Sequence, residues 1–365
     1  MKKLVKTIPS RRSFLSGAIS LAAASSIGVP RLVFADTADA SIVGSGDYQY
    51  RADHAWAKLP SEFSWQTTHN VAVDSDNNLY VIHEGHRDKV DHPSIFVFDA
   101  EGTYVRSFGT QFQGGGHGIE VRKEDGQEYL YVCGYQQVKM LAKLDLKGDV
   151  LWQKFAPMKS GKYADGEASR PKQAWGRDRF MPTNFAFLPD GDFLLADGYG
   201  SYFIHRYDRD GNWKNSFGGP GDGQGTFNTP HGILFDERPG REPAVVIADR
   251  AHHTIQYMSV DGKHQQTVDG FGLPANFDTY EDLLLVPELL ARVTLLGKDN
   301  KVVAHLGDDV ARIKADSKFA IRRDETAWNT GKFVHPHDAC FDKEGNIFVA
   351  EWVGTGRVTK LTRVG

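Results

Sequence analysis

The sequence predicts an all-β chain folded as a six-bladed β-propeller with four-stranded blades. Three observations predict it: a paired-strand unit recurs along the chain, Asp- and Gly-rich turns separate the strands, and no segment carries a long helical period. Glycine is abundant (38 of 365 residues) and aromatics reach 12%, which suits short strands and tight turns better than helices. A chain of 365 residues exceeds the usual span of one core. A closed ring of repeats escapes that limit, because each unit buries its faces only against its neighbours.

Each unit begins with a small polar or His residue, runs through an apolar strand, turns, and enters a second apolar strand. The copies start at Thr68-His69-Asn70, Gly116-His117-Gly118, Pro182-Thr183-Asn184, Pro230-His231-Gly232 and Pro336-His337-Asp338. The interval from His231 to His337 is twice the usual one, so a fifth copy belongs between them. A degenerate one stands at Pro274-Ala275-Asn276-Phe277, followed by Leu283–Val286. Third and fourth strands follow each pair, joined by Asp-x-x-Gly turns such as Asp99 to Gly102 and Asp208 to Gly211. Four strands per unit of about 50 residues is blade geometry. The polar insert 155–180 reads as a loop over one face.

The N-terminus reads as an export signal. Residues 1–35 carry Lys2, Lys3, Lys6, Arg11, Arg12 and Arg31 and no acid. Ser10-Arg11-Arg12-Ser13-Phe14-Leu15 matches a twin-arginine pattern, and the stretch after it is too short and too polar to span a membrane. Cleavage falls after Ala35, or at Ala38-Asp39-Ala40. The expected organisation is a signal peptide at 1–35, a linker at 36–54 and a propeller at 55–365, with a periplasmic or secreted location and no membrane span after cleavage. Without the leader, 37 basic residues face 47 acidic ones, a net charge near −10 that argues against nucleic acid as a partner. Cys133 and Cys340 lie in apolar runs of different units and read as core thiols, with no metal-ligand spacing.

In a propeller the first strand of each blade lines the central channel, so equivalent positions form a ring. Here the ring reads His69, His117, Thr183, His231, Ala275, His337. His117, His231 and His337 come from alternate blades, spaced as a tripod. Three imidazoles with an open position suit zinc or another divalent transition metal. The bland alternative is an imidazole bonded to a neighbouring blade's backbone. Asp338 is a candidate for a second, hard cation together with the carbonyls of Val71 and Ile119, or else a turn cap.

Four stretches carry a family resemblance: DGYGS (197–201), FNTPHGILF (227–235), ADR (248–250) and HPHDACFDKEGNIFVAE (335–351). They resemble the NHL-repeat catalytic domain of the peptidyl-α-hydroxyglycine α-amidating lyases, over about residues 55–360. The resemblance implies zinc on His117, His231 and His337, calcium at Asp338, a catalytic Tyr at Tyr199 and a site Arg at Arg250. It implies cleavage of a carbinolamide, N–CH(OH)–COOH, to an amide and glyoxylate. The chain departs from that family at Glu84, which stands where the family has Arg (Arg87 follows three residues on), and at His69, an additional ring imidazole that joins the other three as a candidate metal ligand.

Two functions follow. One is an exported metal-dependent lyase acting on a small molecule or a peptide end. The alternative is a non-catalytic propeller that binds a protein or small ligand, its channel metal serving as a structural pin.

Overall fold

The computed structural model describes residues 41–86, 88–89 and 91–364. The twin-arginine segment, both cleavage positions and Arg87 lie outside the described residues. Six antiparallel sheets follow one another along the chain. Their inner strands are Thr68–Val73, Gly116–Glu124, Asn184–Phe187, Pro230–Asp236, Asp278–Tyr280 and Pro336–Phe341. The chain is a six-bladed β-propeller, as the repeat predicts, and Val310–Ala315 is the single α-helix among the described residues.

Residues 41–53 depart from the expectation of a linker. They form two strands, Ser41–Ser45 and Tyr48–Asp53, that add to the outer edge of the last blade. That blade contributes only three strands of its own, Pro336–Phe341, Ile347–Glu351 and Arg357–Arg363. Tyr48–Asp53 pairs antiparallel with Arg357–Arg363, so the two ends of the propeller share one sheet. Closure of this kind joins the two ends of the ring in one sheet, with Ser41–Ser45 as its outer edge.

The core is six wedges rather than one centre. Ile82, Ile95 and Val97 of blade 1 pack on Ile119, Leu130 and Val132 of blade 2, and the same arrangement repeats at every blade–blade junction round to blade 6. Cys133 and Cys340 are buried and unpaired within two of these wedges. The Asp-x-x-Gly turns behave as expected. Asp99 accepts from the amides of Glu101 and Thr103, and Gly102 closes the turn at φ 83°.

A second repeat sets where each inner strand begins. In four blades the second strand ends on, or is directly followed by, an acid that accepts a backbone N–H from the segment leading into the inner strand. Asp197 takes Met181 N (2.7 Å), Asp249 takes Asn228 N (2.8 Å), Glu288 takes Gly272 N, and Glu351 takes Val334 N (2.7 Å). In blade 1, His83 fills this role, its Nδ1 accepting from Gln66 N at 3.2 Å.

Candidate metal centre

All four ring histidines sit where the inner strand breaks register. The shifts lie at Thr68/Asn70, Gly116/Gly118, Pro230/Ile233 and Pro336/Asp338. A bulge re-aims one side chain out of the alternating pleat, and here it turns each imidazole into the channel. In blades 2 and 4 the following residue must be Gly. A Cβ on Gly118 would stand 2.5 Å from Thr183 O, and one on Gly232 would stand 2.4 Å from Asn276 Cα.

The ring contacts decide how the imidazoles are held. His117 Nδ1 bonds Thr183 O (2.9 Å), His231 Nδ1 bonds Ala275 O (2.7 Å), and His337 Nδ1 bonds His69 O (2.8 Å). Each acceptor is the ring residue of the next blade. A carbonyl can only accept, so each Nδ1 carries the proton and each Nε2 presents a lone pair. One nitrogen of each ring is thus structural, as the bland reading expects, and the other presents a lone pair that could ligate an ion. The three ring centroids lie 4.9, 4.7 and 4.9 Å apart.

His231 Nε2 lies 3.2 Å from His117 Nε2. With both Nδ1 atoms protonated, this contact pairs two acceptors and is no hydrogen bond. His337 Nε2 is buried with no partner among the described residues. Burial holds all three imidazoles neutral, His117 down to about 3 and His231 and His337 well below the usual value, with Arg250 adding to the effect. Converging, uncharged imidazole nitrogens, with the one on His337 unpartnered, are a donor set a transition metal takes.

His69 joins the same cluster, its rings 4.8 Å from His117 and 4.7 Å from His337. His69, His117 and His337 have ligand atoms within 4.8 Å of one another, so these three buried residues could hold a metal ion. The tripod of alternate blades and this triad share His117 and His337. The Nδ1–carbonyl anchors distinguish the alternate-blade set.

Tyr199 and Arg250 meet the tripod. Arg250 Nη1 donates to Tyr199 Oη at 2.9 Å, and Tyr199 Oη lies 2.9 Å from His231 Nε2. Burial pushes the Tyr199 phenol up, and the Arg250 guanidinium draws it back down. Arg250 is 6% exposed, and its Nη2 is buried without a partner among the described residues.

Sequence reasoning missed three residues at this mouth. Tyr135 lies between His117 (4.9 Å) and Tyr199 (5.2 Å), and Trp175 of the 155–180 insert leans on Tyr199 at 5.3 Å. Glu167 pins that insert, accepting from Lys139 Nζ (2.8 Å) and Phe180 N (3.1 Å). Arg322, from the segment before blade 6, stacks on Trp352 and puts a positive charge beside Glu84. Glu84 thus has a cation near it after all, supplied from another blade. Tyr135, Trp175 and Arg322 lie off the inner-strand ring and carry no periodic signal.

Farther along the inner strands the channel turns acidic. Asp338 Oδ2 accepts from Val71 N (2.8 Å) and Oδ1 from Asn276 Nδ2 (2.6 Å). Glu120 and Asp278 line the same cavity of about 330 Å³. Burial raises all three acids, Asp278 to about 6 and Asp338 to about 7. Asp338 engages the Val71 amide, and the acids beside it are Glu120 and Asp278, neither of which the sequence reading named. Both lie three residues after a ring position, on the channel side of their strands.

No protein-family model and no curated protein matches the sequence. Among solved structures the chain is similar to a streptogramin B lyase, at 11% identity and TM-score 0.55, over 87% of this chain and 99% of that one. It is similar to a catalytically inactive virginiamycin B lyase from Staphylococcus aureus with quinupristin (12%, TM-score 0.54, 86% and 100%). A gluconolactonase from Xanthomonas campestris stands alongside (14%, TM-score 0.53, 86% and 89%). The shared feature is the six-bladed propeller. At these identities the likeness is one of fold, and the propeller's chemistry has to be argued from its own channel.

Proposed function

We propose that this propeller is an exported, metal-dependent lyase that cleaves a carbinolamide, N–CH(OH)–COO⁻, to an amide and glyoxylate. The observation that carries the proposal is the convergence of three carbonyl-anchored imidazoles on the Tyr199–Arg250 pair. His117, His231 and His337 would hold a zinc-like ion, which when bound polarises the substrate oxygen. The unpartnered Nη2 of Arg250 offers a donor to the substrate carboxylate. Tyr199 Oη, beside the tripod, would act as the phenolate that the Arg250 guanidinium and the ion favour, taking the hydroxyl proton and passing it to the leaving nitrogen. The O–H electron pair becomes the new C=O, the C–N bond breaks onto nitrogen, and nitrogen gains a proton. Trp175 and Tyr135 form an aromatic wall that suits a small molecule or peptide end. Export by the twin-arginine route to the periplasm, and a calcium ion at Asp338 flanked by Glu120 and Asp278, belong to the same proposal.

The test is metal content of the purified chain by mass spectrometry, beside glyoxylate release from an N-acyl-α-hydroxyglycine. About one transition-metal ion per chain, lost in both His117→Ala and His231→Ala together with turnover, is the expected result. A folded protein with no transition metal would overturn the reading. The non-catalytic alternative draws on Glu84 at the mouth. It predicts that chelation lowers the melting temperature while no carbinolamide is turned over.

A further inference from the structure

His69 shares the buried histidine cluster, and its placement beside Glu84 couples the two residues. His69 is 1% exposed, and neither of its ring nitrogens has a hydrogen-bond partner among the described residues. Leaving both nitrogens of a buried imidazole unpaired is costly, so the ring has a use that hydrogen bonds to protein do not fill. Its centroid completes a second near-equilateral triangle with His117 and His337 (4.8, 4.7 and 4.9 Å). Its Nε2 faces Glu84 Oε2 at 3.7 Å. Glu84 is itself held, accepting from Gln136 Nε2 at 2.9 Å and from Tyr135.

Resting on the tripod as a metal centre, we propose that His69 is a fourth imidazole ligand of that ion and that Glu84 is its positioning carboxylate. A metal-bound imidazole hands its other N–H to a carbonyl or a carboxylate. The three tripod imidazoles use carbonyls of the next blade, and His69 has Glu84. The 3.7 Å separation is longer than a hydrogen bond, and its closing on metal binding is part of the proposal. Charge points the same way. Four neutral imidazoles leave a divalent ion uncompensated in a buried site, and Glu84 is the acid that faces this cluster. A four-nitrogen set favours copper(II) or zinc and closes the position that three histidines leave open. His69, His117, His231 and His337 would together hold the ion, which would supply polarisation of the substrate oxygen. The departure at Glu84 and the additional His69 are thereby one feature rather than two.

The experiment loads the purified chain with copper(II) and counts coupled imidazole nitrogens by pulsed electron paramagnetic resonance. Four in the wild type and three in His69→Ala are expected. Glu84→Gln keeps four and weakens copper binding by about 10- to 100-fold. A three-nitrogen count in the wild type overturns the proposal even if His69→Ala fails to fold. A wild type that binds no copper or zinc brings down the tripod reading as well, which separates the two failures.

Discussion

His231 Nε2 stands 3.2 Å from His117 Nε2, and each is the unprotonated nitrogen of its ring. Two lone pairs at that distance repel unless a cation or a shared proton draws them together. A proton is disfavoured, because burial and the Arg250 guanidinium already hold both rings neutral.

Zinc affinity should therefore depend little on pH. An imidazole of ordinary pKa near 6.5 loses about tenfold in affinity per ligand for each pH unit below that value, as protons compete. His117, held down to about 3, competes with no proton at pH 5. Competition with a chromophoric chelator at pH 7.5 and pH 5 should give nearly the same protein affinity. A drop of about 10⁴-fold, roughly thirtyfold for each of the three rings, would mean the rings titrate normally and the site is not dry.

Tyr199→Phe should separate chemistry from metal binding. The substitution removes the oxygen that links Arg250 to His231 and leaves all three Nδ1–carbonyl anchors intact. Metal content should be unchanged and kcat should fall by about 10²- to 10⁴-fold. Arg250→Ala should instead raise KM as well as lower kcat, because the unpartnered Nη2 is the donor offered to the carboxylate. Steady-state kinetics on the metal-loaded variants checks both.

The ring was legible because it repeats. Position by position, His69, His117, Thr183, His231, Ala275 and His337 follow from aligning one strand with the next, and the contacts between them join neighbouring blades as that alignment requires. Residues 41–53 were not legible in the same way. They supply only outer strands to a sheet whose inner strand lies some 290 residues later, so no local repeat marks them. Their one signal is alternation: Val43, Tyr50 and Ala52 are buried between exposed or half-buried neighbours. Trp175 and Arg322 come from inserts whose paths are set by Glu167 and by Trp352, contacts that no spacing rule anticipates.

The acidic end of the channel should show an inverted pH dependence when no cation is present. Asp278 and Asp338 have folded values of about 6 and about 7 against 3.8 ordinarily, so the folded state holds their protons more tightly. Their contribution is most favourable below about pH 4 and is lost as pH rises toward 7. Melting temperature in chelator should fall from pH 5 to pH 7.5, Asp278→Asn should flatten that slope, and millimolar calcium should raise the pH 7.5 value. Absence of a calcium effect would remove the hard-cation reading of Asp338 and leave the tripod untouched.

Glu351 tests whether the acids that end the second strands carry the ring. It accepts from Val334 N three residues before His337, and it also pairs with Arg357 Nε. Arg357 is 6% exposed and stacks on Trp328. Glu351→Ala would leave that guanidinium buried without its carboxylate, a loss of about 3–5 kcal/mol. Glu351→Gln keeps an acceptor for Val334 and should cost less. If the acid also sets the path of the inner strand, then Glu351→Gln, still folded, should hold zinc as tightly as the wild type, whereas any Glu351→Ala protein that folds should bind it more weakly. Equal zinc affinity in both variants would show that Glu351 serves the fold and not the position of His337.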